Sequence, residues 1–106
     1  MHKLLESQTV EFKQIWKDEY LKTICAFANS EGGILYIGLN DDAEILGVEN
    51  IEELLEILPN KINNRLGLVV DISIKNSDTK NYLEIKVNKT YAPISYNGKF
   101  YIRSGS

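Results

Sequence analysis

With 106 residues, 43% of them apolar and 25% charged, the chain has the balance of one globular domain, and area scaling lets a chain of this mass bury about two thirds of its unfolded surface in one core, not two. A single cysteine, Cys25, and a single histidine, His2, exclude an internal disulfide and a zinc cluster; with no apolar run near the ~18 residues of a membrane span and no signal-type stretch in MHKLLESQ, a cytoplasmic protein with no membrane partner is expected. The net charge of −3 is uneven: residues 1–66 hold 6 Lys/Arg against 12 Asp/Glu, whereas residues 67–106 hold 6 (Lys75, Lys80, Lys86, Lys89, Lys99, Arg103) against 3, a basic stretch able to steer a phosphate backbone to one face.

Val10-Glu11-Phe12-Lys13 alternates apolar and charged residues over a short stretch and is expected to be an edge strand. Over residues 17–29, Tyr20, Leu21, Ile24, Cys25, Phe27 and Ala28 recur at helical spacing, with Lys17, Asp18, Glu19, Lys22 and Thr23 on the other side. Asn29-Ser30-Glu31-Gly32-Gly33 stops that helix with residues that tolerate left-handed backbone. Residues 34–39 are apolar on both sides and too few for a helix, so they read as a strand buried on both faces; a polar turn over 40–44 returns it as 45–48, a hairpin. Asn50 with Glu53 marks a helix start, Ile51, Leu54, Leu55, Leu58, Ile62 and Leu66 form its stripe, and Gly67 ends it. Pro59 is expected to kink this helix or end its first half. The period then becomes 2, with strands over 68–75 and 82–87 joined by a turn over 76–81. A last hairpin is expected around Asn97-Gly98, pairing 94–96 with 99–103. The fold class is α+β: one small domain, a mixed sheet with two helices able to cover one face. Ending just past a hairpin, at Ser104-Gly105-Ser106, the chain reads as a module of a longer protein.

Gly33-x-x-x-x-Gly38 has phosphate-loop spacing, but Leu39-Asn40 stand where Lys and Ser/Thr are needed, so ATP is not expected to bind this domain. The bland roles of these glycines are a helix exit and a place of close approach, although a glycine-rich loop can also hold an anion through its N–H groups. Cys25 falls on the apolar stripe, with no partner to serve as its base, and reads as an inert buried thiol. Carboxylates remain. Glu6, Glu11 and Asp41-Asp42 fall just before, on or just after strands, where convergence would suit Mg²⁺ or Mn²⁺ and phosphodiester hydrolysis; the same residue types also serve solvated turns. Lys13, Lys86, Lys89, Lys99 and Arg103 with Tyr91, Tyr96, Phe100 and Tyr101 offer phosphate neutralisation and base stacking. On a sheet, those residues equally serve as edge charges and packing aromatics.

Three separated motifs, Glu6-Ser7-x-x-Val10-Glu11-Phe12-Lys13, Ile24-Cys25-Ala26-Phe27-Ala28-Asn29-Ser30-x-Gly32-Gly33-x-Leu35-Tyr36-Ile37-Gly38 and Tyr101-Ile102-Arg103-Ser104-Gly105-Ser106, span nearly the whole chain. Together they resemble the Schlafen-type Alba-like DNA-binding domain family, once described as a divergent AAA domain. The resemblance implies a compact N-terminal module of longer bacterial proteins described as transcriptional regulators or helicase-related, whose downstream domains would be its partners. Some Schlafen proteins cleave transfer or ribosomal RNA with three carboxylates, and by motif Glu6, Glu11 and Asp41 would be those catalytic and metal-binding groups, with Mg or Mn as cofactor. Such nucleases pair two modules into a basic groove, so a single copy would have to form a homodimer.

The leading expectation is therefore a DNA- or RNA-binding module that needs no cofactor to bind. Lys13, Lys99 and Arg103 would touch phosphates, and the loop carrying Asn29, Gly32 and Gly33 would set backbone donors beside them. The alternatives are a metal-dependent endoribonuclease and a protein-interaction or dimerisation module. All of this requires Lys13 and Arg103 to lie on the same side of the molecule.

Overall fold

A computed structural model of the chain describes residues 5–104; His2 and the Gly105-Ser106 end of the closing motif lie outside the described residues. The elements follow as β1 (Val10–Lys13), α1 (Leu21–Ala28), β2 (Gly33–Ile37), α2 (Ile51–Leu66), β3 (Asp71–Ser77) and β4 (Lys80–Val87). β1 and β2 pair in parallel, which requires a crossover between them, and α1 provides it. β4 lies antiparallel to both β2 and β3, giving a mixed sheet of order β1-β2-β4-β3 with β1 and β3 at its edges. The expected α+β architecture is thus the observed one.

The pleat separates the two faces of the sheet. Leu35, Ile37, Leu83, Ile85 and Val87 are buried against Leu21, Ile24, Phe27 and Ala28 of α1 and Leu54, Leu58 and Ile62 of α2. Register puts Glu11 opposite Leu35 and Lys13 opposite Ile37, so two charged side chains share the helix-covered face where it reaches the β1 edge. On the other face the rings of Phe12, Tyr36 and Tyr82 run in a row with centroids 6.0 and 6.1 Å apart. Burial of β2 is consequently one-sided: Ile34 and Tyr36 are half-buried, not enclosed as their apolar character led one to expect.

The remaining departures have local causes. The expected first helix begins as a 3-10 turn, Asp18–Tyr20, because Asp18 is held by the Trp16 indole N–H and by Lys61, both at 2.8–2.9 Å. β2 ends at Ile37, and the expected hairpin shrinks to one Leu39–Ile45 bridge. Gly38, at φ +108°, turns the strand, its carbonyl takes the N–H groups of Leu46 and Gly47, and Val48 N–H passes to Asn81. A Cβ at Gly38 would lie 2.8 Å from Val48, so the close approach expected there is real. α2 runs unbroken through Pro59 to the left-handed Gly67, and the next strand starts at Asp71 with a two-residue turn at Asp78-Thr79. Around Asn97-Gly98, both at positive φ, a turn forms with one Tyr96–Lys99 bridge and no flanking strands. The backbone groups that would have extended it are taken elsewhere, by side chains at the end of α1.

Candidate functional site

Asn29 follows α1 as its C-cap and clamps the closing segment. Its amide nitrogen donates to the carbonyls of Ile94 (2.8 Å) and Tyr101 (2.9 Å), and its oxygen accepts the Ile94 N–H (2.8 Å). Next door, the Ser30 hydroxyl oxygen accepts the Arg103 N–H at 2.8 Å. These bonds lay residues 94–103 beside the N-terminal segment, although the two lie far apart in sequence.

The Arg103 guanidinium is thereby fixed. Its Nε donates to Gln8 O (3.1 Å), one terminal nitrogen to Ser7 O (2.7 Å), and the group lies 4.8 Å over the Phe27 ring. Its other terminal nitrogen is 3.8 Å from Glu11 Oε1, and Lys13 Nζ reaches the same oxygen at 3.9 Å. Lys13 and Arg103 therefore do lie together, as the sequence reading requires. Lys13 also stands 4.8 Å over the Tyr20 ring, and Lys22 of α1 stands 6.0 Å from the Tyr101 ring.

Two carboxyls meet in this cluster. Glu6 accepts the Phe12 N–H at 3.0 Å and shares a hydrogen bond with Glu11. Burial first, then the Glu6 carboxylate, pushes Glu11 up to about 7, while the hydrogen bond from Glu11 holds Glu6 below its usual range against the effect of burial. Below about pH 7 the pair therefore keeps one proton between its two carboxyls. Two clefts of about 360 Å³ flank it. One is lined by Glu11, Lys22, Thr23, Tyr101, Arg103 and Ser104, the other by Lys13, Gln14, Lys17, Tyr20 and Asp41.

Asp41 thus lines the cleft on the Lys13 side, and among the described residues no three His, Cys, Asp or Glu side chains are grouped so as to hold a metal ion. Around the Glu6–Glu11 pair stand Phe12 N–H, Lys13 and Arg103. Gly32 and Gly33 have packing roles: a Cβ on Gly32 would meet Val87 O at 2.7 Å, and one on Gly33 the Phe27 ring at 2.5 Å. Lys99 is exposed on the Asn97-Gly98 turn, with no ion pair or hydrogen bond to the Glu11 group among the described residues. Lys86 lies on the open face of β4, Lys89 pairs with Glu31 at 3.6 Å, and Tyr91 and Phe100 are exposed. Cys25 is buried and its thiol pushed up by desolvation, the inert role expected of it. Sequence reading did not single out Lys17 and Lys22 as contacts. The signal was available, since both lie on the polar side of the helical pattern that follows β1.

Among the described residues no helix is long and apolar enough to cross a membrane. The family model described as Schlafen, AlbA_2 matches residues 6–106. Two solved structures share the fold. The DIP2311 protein from Corynebacterium diphtheriae matches with a TM-score of 0.75 and 22% identity over 93% of this chain, which spans 22% of that protein's chain. The N-terminal domain of a RecG-related protein from Nitrosomonas europaea, named for ATP-dependent DNA helicases, matches with a TM-score of 0.71 and 23% identity over 95% of this chain and 81% of that one.

Proposed function

This chain belongs to the Schlafen, AlbA_2 family, and on that premise we propose that it is a nucleic-acid-binding module, with DNA as its first ligand, acting within a larger bacterial regulatory protein. One observation carries the reading: Lys13 and Lys22, each beside a tyrosine ring, border the two clefts on either side of Glu11. Ammonium groups neutralise phosphates and tyrosine faces accept bases, so each pair offers both halves of a nucleotide contact. The acidic whole does not oppose this. Glu52, Glu53 and Glu56 are exposed on α2, which packs over the β3 side of the sheet, whereas α1 with Lys22 packs over β2 beside the β1 edge. The name of the Nitrosomonas protein, which refers to DNA helicases, agrees with this ligand class.

In this reading Arg103 and Asn29 build the floor of the site, Gly32 and Gly33 let the chain pass close to β4 and α1, and Lys13, Lys17 and Lys22 make the contacts, with Lys99 an outlying cation. Fluorescence anisotropy with labelled DNA and RNA duplexes of about 20 base pairs, from roughly 50 to 200 mM salt, tests it. Affinity is expected to fall steadily as salt rises. Undetectable binding at low salt, or binding indifferent to salt, would remove phosphate contact as the basis of function. The same preparation incubated with structured RNA and Mn²⁺ or Mg²⁺ decides the enzymatic alternative: cleavage that Glu11→Gln abolishes would replace a binding module with a ribonuclease.

A further inference from the structure

β3 ends the sheet on the side opposite β1. The two-residue turn at Asp78-Thr79 sets Ser77 against Lys80 as a hydrogen-bonded pair, so residues 71, 73, 75 and 77 exchange bonds with β4 and Ile72, Ile74 and Asn76 turn their backbone N–H and C=O outward. Among the described residues nothing hydrogen-bonds to those outward groups. The strand is seven residues long, contains no Pro, leaves Ile74 37% exposed, and carries as its edge charges one acid, Asp71, and one base, Lys75.

We infer that this edge pairs with the β3 of a second copy of the chain, antiparallel about a two-fold axis through Ser73, to make one continuous eight-stranded sheet. The argument is the register. Outward groups must meet outward groups, which restricts the pairing to steps of two residues. Centred on Ser73, Asp71 faces Lys75 of the second copy and Lys75 faces its Asp71, while Ile72 faces Ile74 on the helix side. Those acid–base pairs fall at positions without cross-strand hydrogen bonds, where opposed side chains come closest. A two-residue slip one way sets Asp71 against Ser77 and Ser73 against Lys75; the other way it sets Asp71 against Ser73. Neither joins opposite charges. Within its own chain Asp71 lies opposite Lys86, and Lys75 Nζ is 4.0 Å from Glu84 Oε1, so the paired edges continue an alternation of charge already running across the sheet. Such a two-fold interface is self-complementary and closes at two copies. Because β1 stays free at the outer edges, the association neither needs nor blocks the nucleic-acid clefts.

A seven-residue edge buries less than a standard interface, so the dimer is weak. Sedimentation of the 106-residue chain from about 10 µM to about 1 mM should show the 12.1 kDa species giving way to one of twice that mass. Asp71→Lys and Lys75→Asp, both exposed positions, each create two like-charge pairs and should weaken self-association roughly tenfold or more. An equimolar mixture of the two variants should recover it, because every acidic position then faces a basic one. Ser73→Cys should give a disulfide-linked dimer with diamide, whereas Asn76→Cys should not, the buried Cys25 taking no part in either. A wild type that stays monomeric throughout, variants that associate like the wild type, or a mixture no better than its components would overturn the inference.

Discussion

Replacing Glu11 by Gln probes the proton held between the two carboxyls. In the folded chain Glu11 titrates near 7 against an ordinary 4.5, so the folded state binds this proton more tightly than the unfolded one. A carboxyl raised in this way contributes stability that is complete below about pH 4.5 and is lost as pH rises to about 7. The gap corresponds to about 3 kcal/mol at ~1.4 kcal/mol per pH unit, trimmed to about 2 kcal/mol by the water that reaches this half-buried cluster. Glu6, held low by the same hydrogen bond, is ionised in both states above pH 5 and does not alter the slope there. Wild-type stability should therefore fall by about 2 kcal/mol from pH 5 to pH 8, moving a urea midpoint by about 1–2 M.

Glutamine carries an N–H that can donate to Glu6 at every pH, so the variant should lose most of that slope and be the more stable protein at pH 8. Urea titrations followed by the Trp16 fluorescence and by circular dichroism, at pH 5, 6, 7 and 8, measure both. Taking the difference between the two proteins removes the contributions of groups common to both. A wild-type midpoint that holds or rises from pH 5 to 8, or a variant with the wild-type slope, would refute the shared proton.

Asn29→Ala should cost roughly 2–4 kcal/mol, since it strips partners from the Ile94 N–H and from the Ile94 and Tyr101 carbonyls; chemical denaturation and limited proteolysis beyond residue 90 would register the loss. Gly33→Ala places a Cβ 2.5 Å from the Phe27 ring and 2.8 Å from Thr9 O, where the Ile34 N–H enters the β1–β2 ladder, and should cost about 1–3 kcal/mol in the same denaturation assay. Lys13→Ala and Lys22→Ala should each weaken duplex binding and lower the salt slope by about 1 while leaving the unfolding free energy within about 0.5 kcal/mol of wild type.

Elements whose hydrogen bonds close locally were legible in the sequence. The apolar stripe from Ile51 to Leu66, the left-handed Gly67 and the alternation through β3 and β4 are properties of neighbouring residues, and the structure keeps them. Where the sequence misled, a distant partner intervened. Asn97-Gly98 makes its turn, yet the flanks never become strands because Asn29 and Ser30, more than sixty residues away, take the N–H and C=O groups that strands would need. Likewise Gly38 looked like part of a strand and instead ends it, because Val48 and Tyr82 press against the place a side chain would fill. In the site, motif position brought Glu6, Glu11, Lys13 and Arg103 to one place, but it carried no information on how their hydrogen bonds would be divided.

That division decides what each cation can do. Arg103 has one terminal nitrogen left toward Glu11 after bonding the Ser7 and Gln8 carbonyls, and its plane is taken up by Phe27, so little of it remains for a phosphate. Lysine has no planar fork to satisfy two carbonyls at once; Lys13 holds its ammonium group by two loose contacts, to Glu11 and the Tyr20 ring, and Lys22 by one, to the Tyr101 ring. On the proposed reading, affinity and architecture are therefore separated along the chain. The closing Tyr101-Ile102-Arg103 segment sets where the N-terminal Glu6-to-Lys13 segment lies, and the lysines beside it are free to exchange one negative partner for another. Arg103→Lys should accordingly lower stability by about 1–2 kcal/mol through the lost fork and leave the salt slope of binding unchanged, whereas a residue in direct phosphate contact would show the opposite pattern.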